Sequence, residues 1–443
     1  MVSLTAILLG YIALTSLRST DAAPLDDGVF MQIDSVSVLN HDSPVFSGPI
    51  NLDLHPLQVM DTANATDDGD IHVNEVPAAA DLARLNDFFG QPMEVNVKNL
   101  VTSATVAPVP WPSSYWPTFE DGINYRWNGD DEPSPAEKYA RAFGLDEAAL
   151  LDAVSRSNGI LSQAGRPQCT SNSDCSSLGD GSRCGKRRGE TTGTCIPTWY
   201  GICHAWAPAA VLEPEPRCPV MTNGVTFRPF DIKALVTQIY DGGVIGLVFT
   251  GARYDGPVNG PKDQYGRFTD AAYRDLNPGF FHIAFSNILG KFKRGFIIDV
   301  NAGPQVWNQP VRSYQVLEQT MYTPAAAARR YFNVNNYPFN NKAKSIQYVR
   351  TRVRWIVEAN EDGPLVDTGR VDSYTQQAEY TYLLELDNAG NIIGGEWVGS
   401  SKANHPDFLW FATDRPNIDA TIGVGLRYKD VRALIEQSAS ATC

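Results

Sequence analysis

The sequence predicts an α+β protein whose main body is built on an antiparallel sheet. Three patterns carry this: helix-start signals within residues 98–164, a cysteine-dense stretch at 165–200 without apolar periodicity, and long alternating strand runs within residues 201–443.

Residues 1–22 read as a secretory signal peptide, with an apolar run from Leu4 to Leu17 and small residues at Ala22 and Ala23. That run is shorter than the ~20 apolar residues a membrane span needs, and no later stretch approaches it. Export in soluble form, to the extracellular space or cell wall, is the expectation. Residues 23–97 form an acidic arm or pro-segment, poor in long periodic elements, with the sequon Asn64-Ala65-Thr66. Residues 1–97 carry 14 acidic against 2 basic side chains, so nearly all of the chain's net charge of −14 belongs to this end. The body is close to neutral and shows no basic patch, which argues against nucleic acid or anionic membrane as partner.

Ser134 as N-cap, Pro135 at the first helical position and Glu137 at the third make a capping box, and DEAALLDAVSRS follows as a second helix. Tyr139 and Phe143, four apart, pack together. Cys169, Cys175, Cys184 and Cys195 fall in a Gly- and Ser-rich stretch too short to bury a core, hence a small two-disulfide knob. Zinc is the weaker reading, because the spacings lack paired CxxC. In the body, GGVIGLVFTGARY, FHIAF and RGFIIDVNA read as strands. SIQYVRTRVRWIVEA, YTQQAEYTYLLELD and NIIGGEWVG extend the sheet.

Seven cysteines in an exported chain imply disulfides and one thiol left over. With four in the knob, either Cys218 pairs with Cys443 and frees Cys203, or Cys203 pairs with Cys218 and frees Cys443. The setting YGICHAWAPAA favours chemistry at Cys203: a helix starting there would bring its positive end to the thiol, lower its pKa and leave N–H donors for an oxyanion. A cysteine nucleophile needs a base and an orienter. His204 points ~100° away on the same helix. His282 at the start of FHIAF and Asp299 in RGFIIDVNA supply the order Cys, His, Asp of papain-like enzymes, with Asn301 sharing Asp299's face and His405 as the alternative base. Trp206 and Trp307 are expected to wall the approach to the thiol.

The segment VWNQPVRSYQVLEQT, Val306 to Thr320, resembles the elicitor peptide of the oomycete transglutaminases, with VWNQPVR matching over seven consecutive residues. Ser313, Tyr314, Gln315 and Leu317 depart from that peptide. From about residue 100 onward, including GGEWVG and HPDFLW, the chain is similar to that family's catalytic body. The resemblance implies calcium-dependent cross-linking of protein glutamine to lysine, glutamine- and lysine-bearing partner proteins such as those of the cell wall, and plant immune recognition of Val306–Arg312. It also implies a fold similar to papain-like cysteine proteases, with Cys203 as nucleophile. A papain-like glutamine ahead of the cysteine is missing, since Pro197 stands there. The Asn308-Gln309-Pro310 run suits a partly exposed turn or sheet edge, with Trp307 half-buried and Arg312 exposed. Two rival functions are a cysteine protease, which resolves the acyl enzyme with water, and a non-enzymatic surface-binding protein, which needs no reactive thiol.

Overall fold

The computed structural model describes residues 35–49, 75–274 and 276–443; the expected leader and the Asn64 sequon lie outside them. Among the described residues the first elements are β1 (Ser37–Val38), α1 (Glu75–Phe89) and β2 (Ser103–Thr105). The capping box then forms as the sequence requires. Ser134 Oγ accepts from the Glu137 N–H, and the Glu137 carboxylate accepts from the Ser134 N–H at 2.6 Å, starting α2 (Pro135–Phe143). Gly144 ends that helix at φ +70°, and Asp146 caps α3 (Glu147–Ser157). The Tyr139 and Phe143 rings pack 4.5 Å apart.

The knob holds β3 (Gln168–Cys169), α4 (Asn172–Cys175), β4 (Ser182–Gly185) and β5 (Gly193–Pro197). It is closed by Cys169–Cys184 and Cys175–Cys195, so its sulfurs serve bridges and not zinc.

The body continues through α5 (Cys203–Leu212), β6 (Val220–Thr222), β7 (Val225–Phe227), α6 (Pro229–Gly242), β8 (Gly246–Gly251) and α7 (Ala271–Arg274). Next come α8 (Pro278–Phe285), β9 (Ile297–Asp299), β10 (Asn308–Tyr322), α9 (Pro324–Phe332) and β11 (Ser345–Ile356). The chain closes with β12 (Thr375–Leu386), β13 (Ile392–Trp397), β14 (Phe408–Ala412) and α10 (Tyr428–Ser440).

Among the described residues nine strands make one antiparallel sheet, in the order β1-β8-β14-β9-β10-β11-β12-β13, with β2 also on β10. Its central strands are buried on both sides, which explains their continuous apolar runs. Phe408, Trp410 and Ala412 of β14 join the cluster built on α5, α6 and α10, whereas Leu409 and Phe411 join the one built on α1 and α8. Ile297 and Ile298 of β9 divide between the same two clusters, following the period of two.

Two expectations change here. FHIAF is not a strand but the second half of α8, because Asn277 Oδ1 accepts from the N–H groups of Gly279 and Phe280 and Pro278 fills the first helical position. The expected boundary near residue 97 does not divide the described chain: Leu85 of α1, Met93 and Val97 are buried in the cluster of α8 and β12, and one compact unit runs from residue 34 to 443. Leu85 has no exposed surface. Leu85→Ala is therefore expected to destabilise the whole fold by about 2–5 kcal/mol in chemical denaturation. A loss under about 0.5 kcal/mol would mean that α1 lies outside the cooperative unit.

Candidate active site

The thiol sits where a buried helix meets the sheet. Gly201 lets the chain turn into α5 close against the loop at 115–116: a Cβ there would stand 2.7 Å from the Tyr115 carbonyl oxygen. Ile202 caps the helix without a side-chain acceptor, so first-turn N–H groups face the region of the thiol. Cys218 pairs with Cys443, and Cys203 is free. The first of the two pairings open to the sequence is the one formed.

Cys203 Sγ is fully buried and ringed by polar groups. It accepts from the Asn308 N–H at 3.3 Å and from Asn308 Nδ2 at 3.5 Å, and its own S–H reaches the Val306 carbonyl at 3.8 Å. The Ser47 hydroxyl lies 2.7 Å away. Asn308 is itself fixed, because the Trp410 indole N–H donates to its Oδ1 at 2.7 Å. Despite these donors, burial pushes the thiol up to about 12, with Glu358 adding to the rise and Ser47 and Asn308 opposing it. The lowered pKa expected of a helix N-terminus does not appear: desolvation outweighs the dipole while the thiol is covered.

Asp299 is beside this group. It lies opposite Asn308 in the β9–β10 ladder and, two residues after Ile297, faces the α5 side of the sheet. Directly opposed side chains stand ~4.5–5.5 Å apart at Cβ. One carboxylate oxygen accepts from the N–H groups of Trp307, at 3.0 Å, and Asn301, at 3.1 Å; the other, buried, has no hydrogen-bond partner among the described residues. Burial pushes this carboxyl up to about 7, against the pull of those two amides and of Arg253.

His282 is elsewhere. It belongs with α8, where Nδ1 pairs with the Tyr382 hydroxyl at 2.7 Å and the ring meets Phe285. Burial alone drives it down to about 3. No bond joins it to Cys203 or Asp299 among the described residues, so the expected triad is not assembled; the helix at FHIAF turned its ring to the opposite cluster. His405 is held by two backbone carbonyls, Ser401 O and Tyr273 O, and stacks on Trp397. His204, next to the thiol in sequence, accepts from the Ser47 N–H at Nδ1 and meets Asp241 through Nε2 at 3.0 Å.

Trp206 has no exposed surface and donates to the Trp111 carbonyl, which makes it core and not a wall of the approach. Trp307 keeps a partly open ring, edge-on to Tyr115 at 5.4 Å. The rest of VWNQPVR is no exposed turn or edge. Val306, just before the central strand β10, is buried, and the segment then enters that strand, where Asn308, Gln309, Pro310 and Val311 are buried. Arg312 is mostly covered too, bound to Asp372 and Thr375. Sequence reasoning missed Asn308 and Ser47, since neither residue type carries a motif; the VWNQ run was the only pointer to the former.

Among the described residues the convergent group of metal-ligating side chains is Cys169, Cys175 and Cys195, all bridged, whereas calcium takes six to eight oxygens. These residues do not fit calcium. No helix among the described residues is long and apolar enough to cross a membrane.

A buried helix presents a lone thiol to an antiparallel sheet, and comparison gives the chain a family. The transglutaminase elicitor family matches residues 81–443, so the chain belongs to it and is a protein-glutamine γ-glutamyltransferase. Among solved structures it is similar to the GP42 transglutaminase from Phytophthora sojae, at 49% identity and a TM-score of 0.75, covering 82% of this chain and 98% of that one. A comparison with curated proteins finds no match.

The Trp410–Asn308 bond offers a test of how the thiol is held. Trp410→Phe keeps an aromatic ring in place of the indole but removes the N–H, and amine incorporation into a glutamine-bearing protein is expected to fall about tenfold, the equivalent of one charge-neutral hydrogen bond at the site. An unchanged rate in a folded variant would mean that the orientation of Asn308 does not matter.

Proposed function

We propose that Cys203 is the nucleophile of the transglutaminase reaction and Asp299 its proton carrier. The observation that carries this is the lone free thiol hydrogen-bonded to Asn308, whose ladder partner is a carboxyl poised near neutrality. Cys203 on a buried helix end against an antiparallel sheet supports the papain-like relation. The Cys203 proton passes to the Asp299 carboxylate as sulfur attacks the glutamine carboxamide carbon. The oxyanion is met by first-turn N–H groups of α5. Asp299 returns the proton to the nitrogen as the C–N bond breaks and ammonia leaves, giving a thioester. A lysine amine then attacks, Asp299 takes its proton, and collapse releases the isopeptide and the thiolate, which Asp299 reprotonates. Trp307 and Tyr115 supply an apolar rim that disfavours water as the second nucleophile.

Substrates are glutamine- and lysine-bearing proteins, and we assign the chain to the outside of the cell; three disulfides support this. Calcium dependence follows from the family resemblance alone, and no step above runs through it. Recognition by plants is proposed at Val306–Arg312. Because most of that segment is buried in β10, a synthetic peptide of residues 306–320 is expected to elicit a response at a lower concentration than the folded protein.

Cys203→Ala should abolish amine incorporation and Asp299→Asn should lower it at least a hundredfold, while a folded His282→Gln keeps near-wild-type rate. The active form is the carboxylate, so activity should rise with pH through about 7. Stability moves the other way. The folded pKa lies above the unfolded value of about 4, so this contribution is complete below pH 4 and is lost as pH rises through 7; Asp299→Asn should flatten that decline. Loss of activity in His204→Gln with retention in Asp299→Asn would transfer the role to the His204–Asp241 pair, whose Nδ1 already faces Ser47.

A further inference from the structure

The segment from Ser35 to Pro49 lies across the thiol, and the way it is held is that of a bound peptide. Its start pairs with the free side of β8, Ser37 with Leu247 and Val38 with Gly246, and the Leu39 N–H reaches the Ile245 carbonyl at 2.8 Å. From Pro44 to Gly48 the body reads it through its backbone. Arg253, almost wholly buried, donates to the carbonyls of Pro44, Phe46 at 2.8 Å and Gly48 at 3.0 Å. Asn308 Nδ2 donates to the Val45 carbonyl at 2.7 Å, the Gly201 N–H to the Ser47 carbonyl at 3.1 Å, and the Ser47 N–H to His204 Nδ1 at 3.2 Å. Val45 is buried in the cluster that contains Cys203, and Phe46 packs on the His204 ring at 4.7 Å. The Ser47 hydroxyl is 2.7 Å from Sγ, where an attacked carboxamide would have to come.

Two features separate this from ordinary packing. The contacts from Arg253, Asn308 and Gly201 go to main-chain carbonyls of a segment folded in turns, with the Phe46 N–H on the Ser43 carbonyl at 2.9 Å, so the seat grips a turned main chain by its backbone, as a site for varied protein glutamines must. And the seat lies within the family-matched region, 81–443, whereas the segment that fills it lies before that region.

We propose that Arg253, Asn308, Gly201 and Cys203 form the acyl-donor site for a glutamine-bearing peptide bound in a turned conformation, and that residues 44–48 are its built-in occupant, holding the intact chain latent. This rests on Cys203 as nucleophile. The protonated, desolvated state of the thiol accords with a covered enzyme. Tethering gives the segment a high effective concentration at the site, so a cut between Pro49 and α1 converts it to a dissociable ligand.

The test uses the full chain with a specific protease sequence inserted within residues 50–74. Iodoacetamide labelling of Cys203, located by mass spectrometry, and incorporation of a fluorescent primary amine into a glutamine-bearing protein are measured before and after cutting. The uncut Val45→Asp variant, whose buried charge ejects the segment, is measured alongside. Both rates are expected to rise at least tenfold on cutting and in Val45→Asp, and a synthetic peptide of residues 35–49 should restore inhibition competitively against the glutamine substrate. Equal rates in intact, cut and Val45→Asp protein would overturn the proposal. Faster labelling of Cys203 with no amine incorporated in any form would instead leave the segment as a cover and remove Cys203 as the nucleophile, so the two failures are separable.

Discussion

The placement of Asn308 at the first position of β10 is the constraint on which the site depends. Its backbone must pair with Asp299 across the ladder while its N–H and amide reach Cys203 on the helix beneath, and Trp410 fixes the one torsion that would let the amide swing away. One residue thereby ties nucleophile, carboxyl and sheet into a single rigid body. A one-residue slip of β10 against β9 would turn Asn308 to the other face and separate all three. The long ladder with β11, running from Val311 to Tyr322, makes such a slip costly.

The sequence made legible those elements whose signals are local. The capping box at Ser134, the Asp146 cap and the knob follow from side chains meeting neighbours a few residues away, and they formed as read. The strands β11, β12 and β13 also followed, because their length and alternation leave no helical alternative. FHIAF failed for the opposite reason. A short apolar run fits helix and strand alike, and the arbiter, Asn277-Pro278 just before it, was a cap and an N1 proline. With His282 placed on a helix, a triad drawn from chain order lost its base.

The elicitor-like segment shows a different limit. Pro310 suggested an edge, since proline cannot donate to a ladder. Its position in β10 faces Ile297 on β9, next to where the Val311 N–H takes over by reaching the Phe296 carbonyl, so an interior strand accommodates it at a local irregularity. Composition misled as well in the acidic arm. Charge averaged over residues 1–97 hid Leu39, Val45 and Leu85, each of which is buried. Burial is decided residue by residue, and a net charge describes only what remains outside.

The Cys218–Cys443 bridge closes a span of 225 residues that holds β10 and every strand after it. Hydrolysis of any one peptide bond inside that span would yield two polypeptides that still migrate as one until a reductant is added. Shedding the elicitor-like segment 306–312 then requires incision on both of its sides, and a singly nicked molecule would keep it attached. Gels run without reductant would report such a molecule as intact.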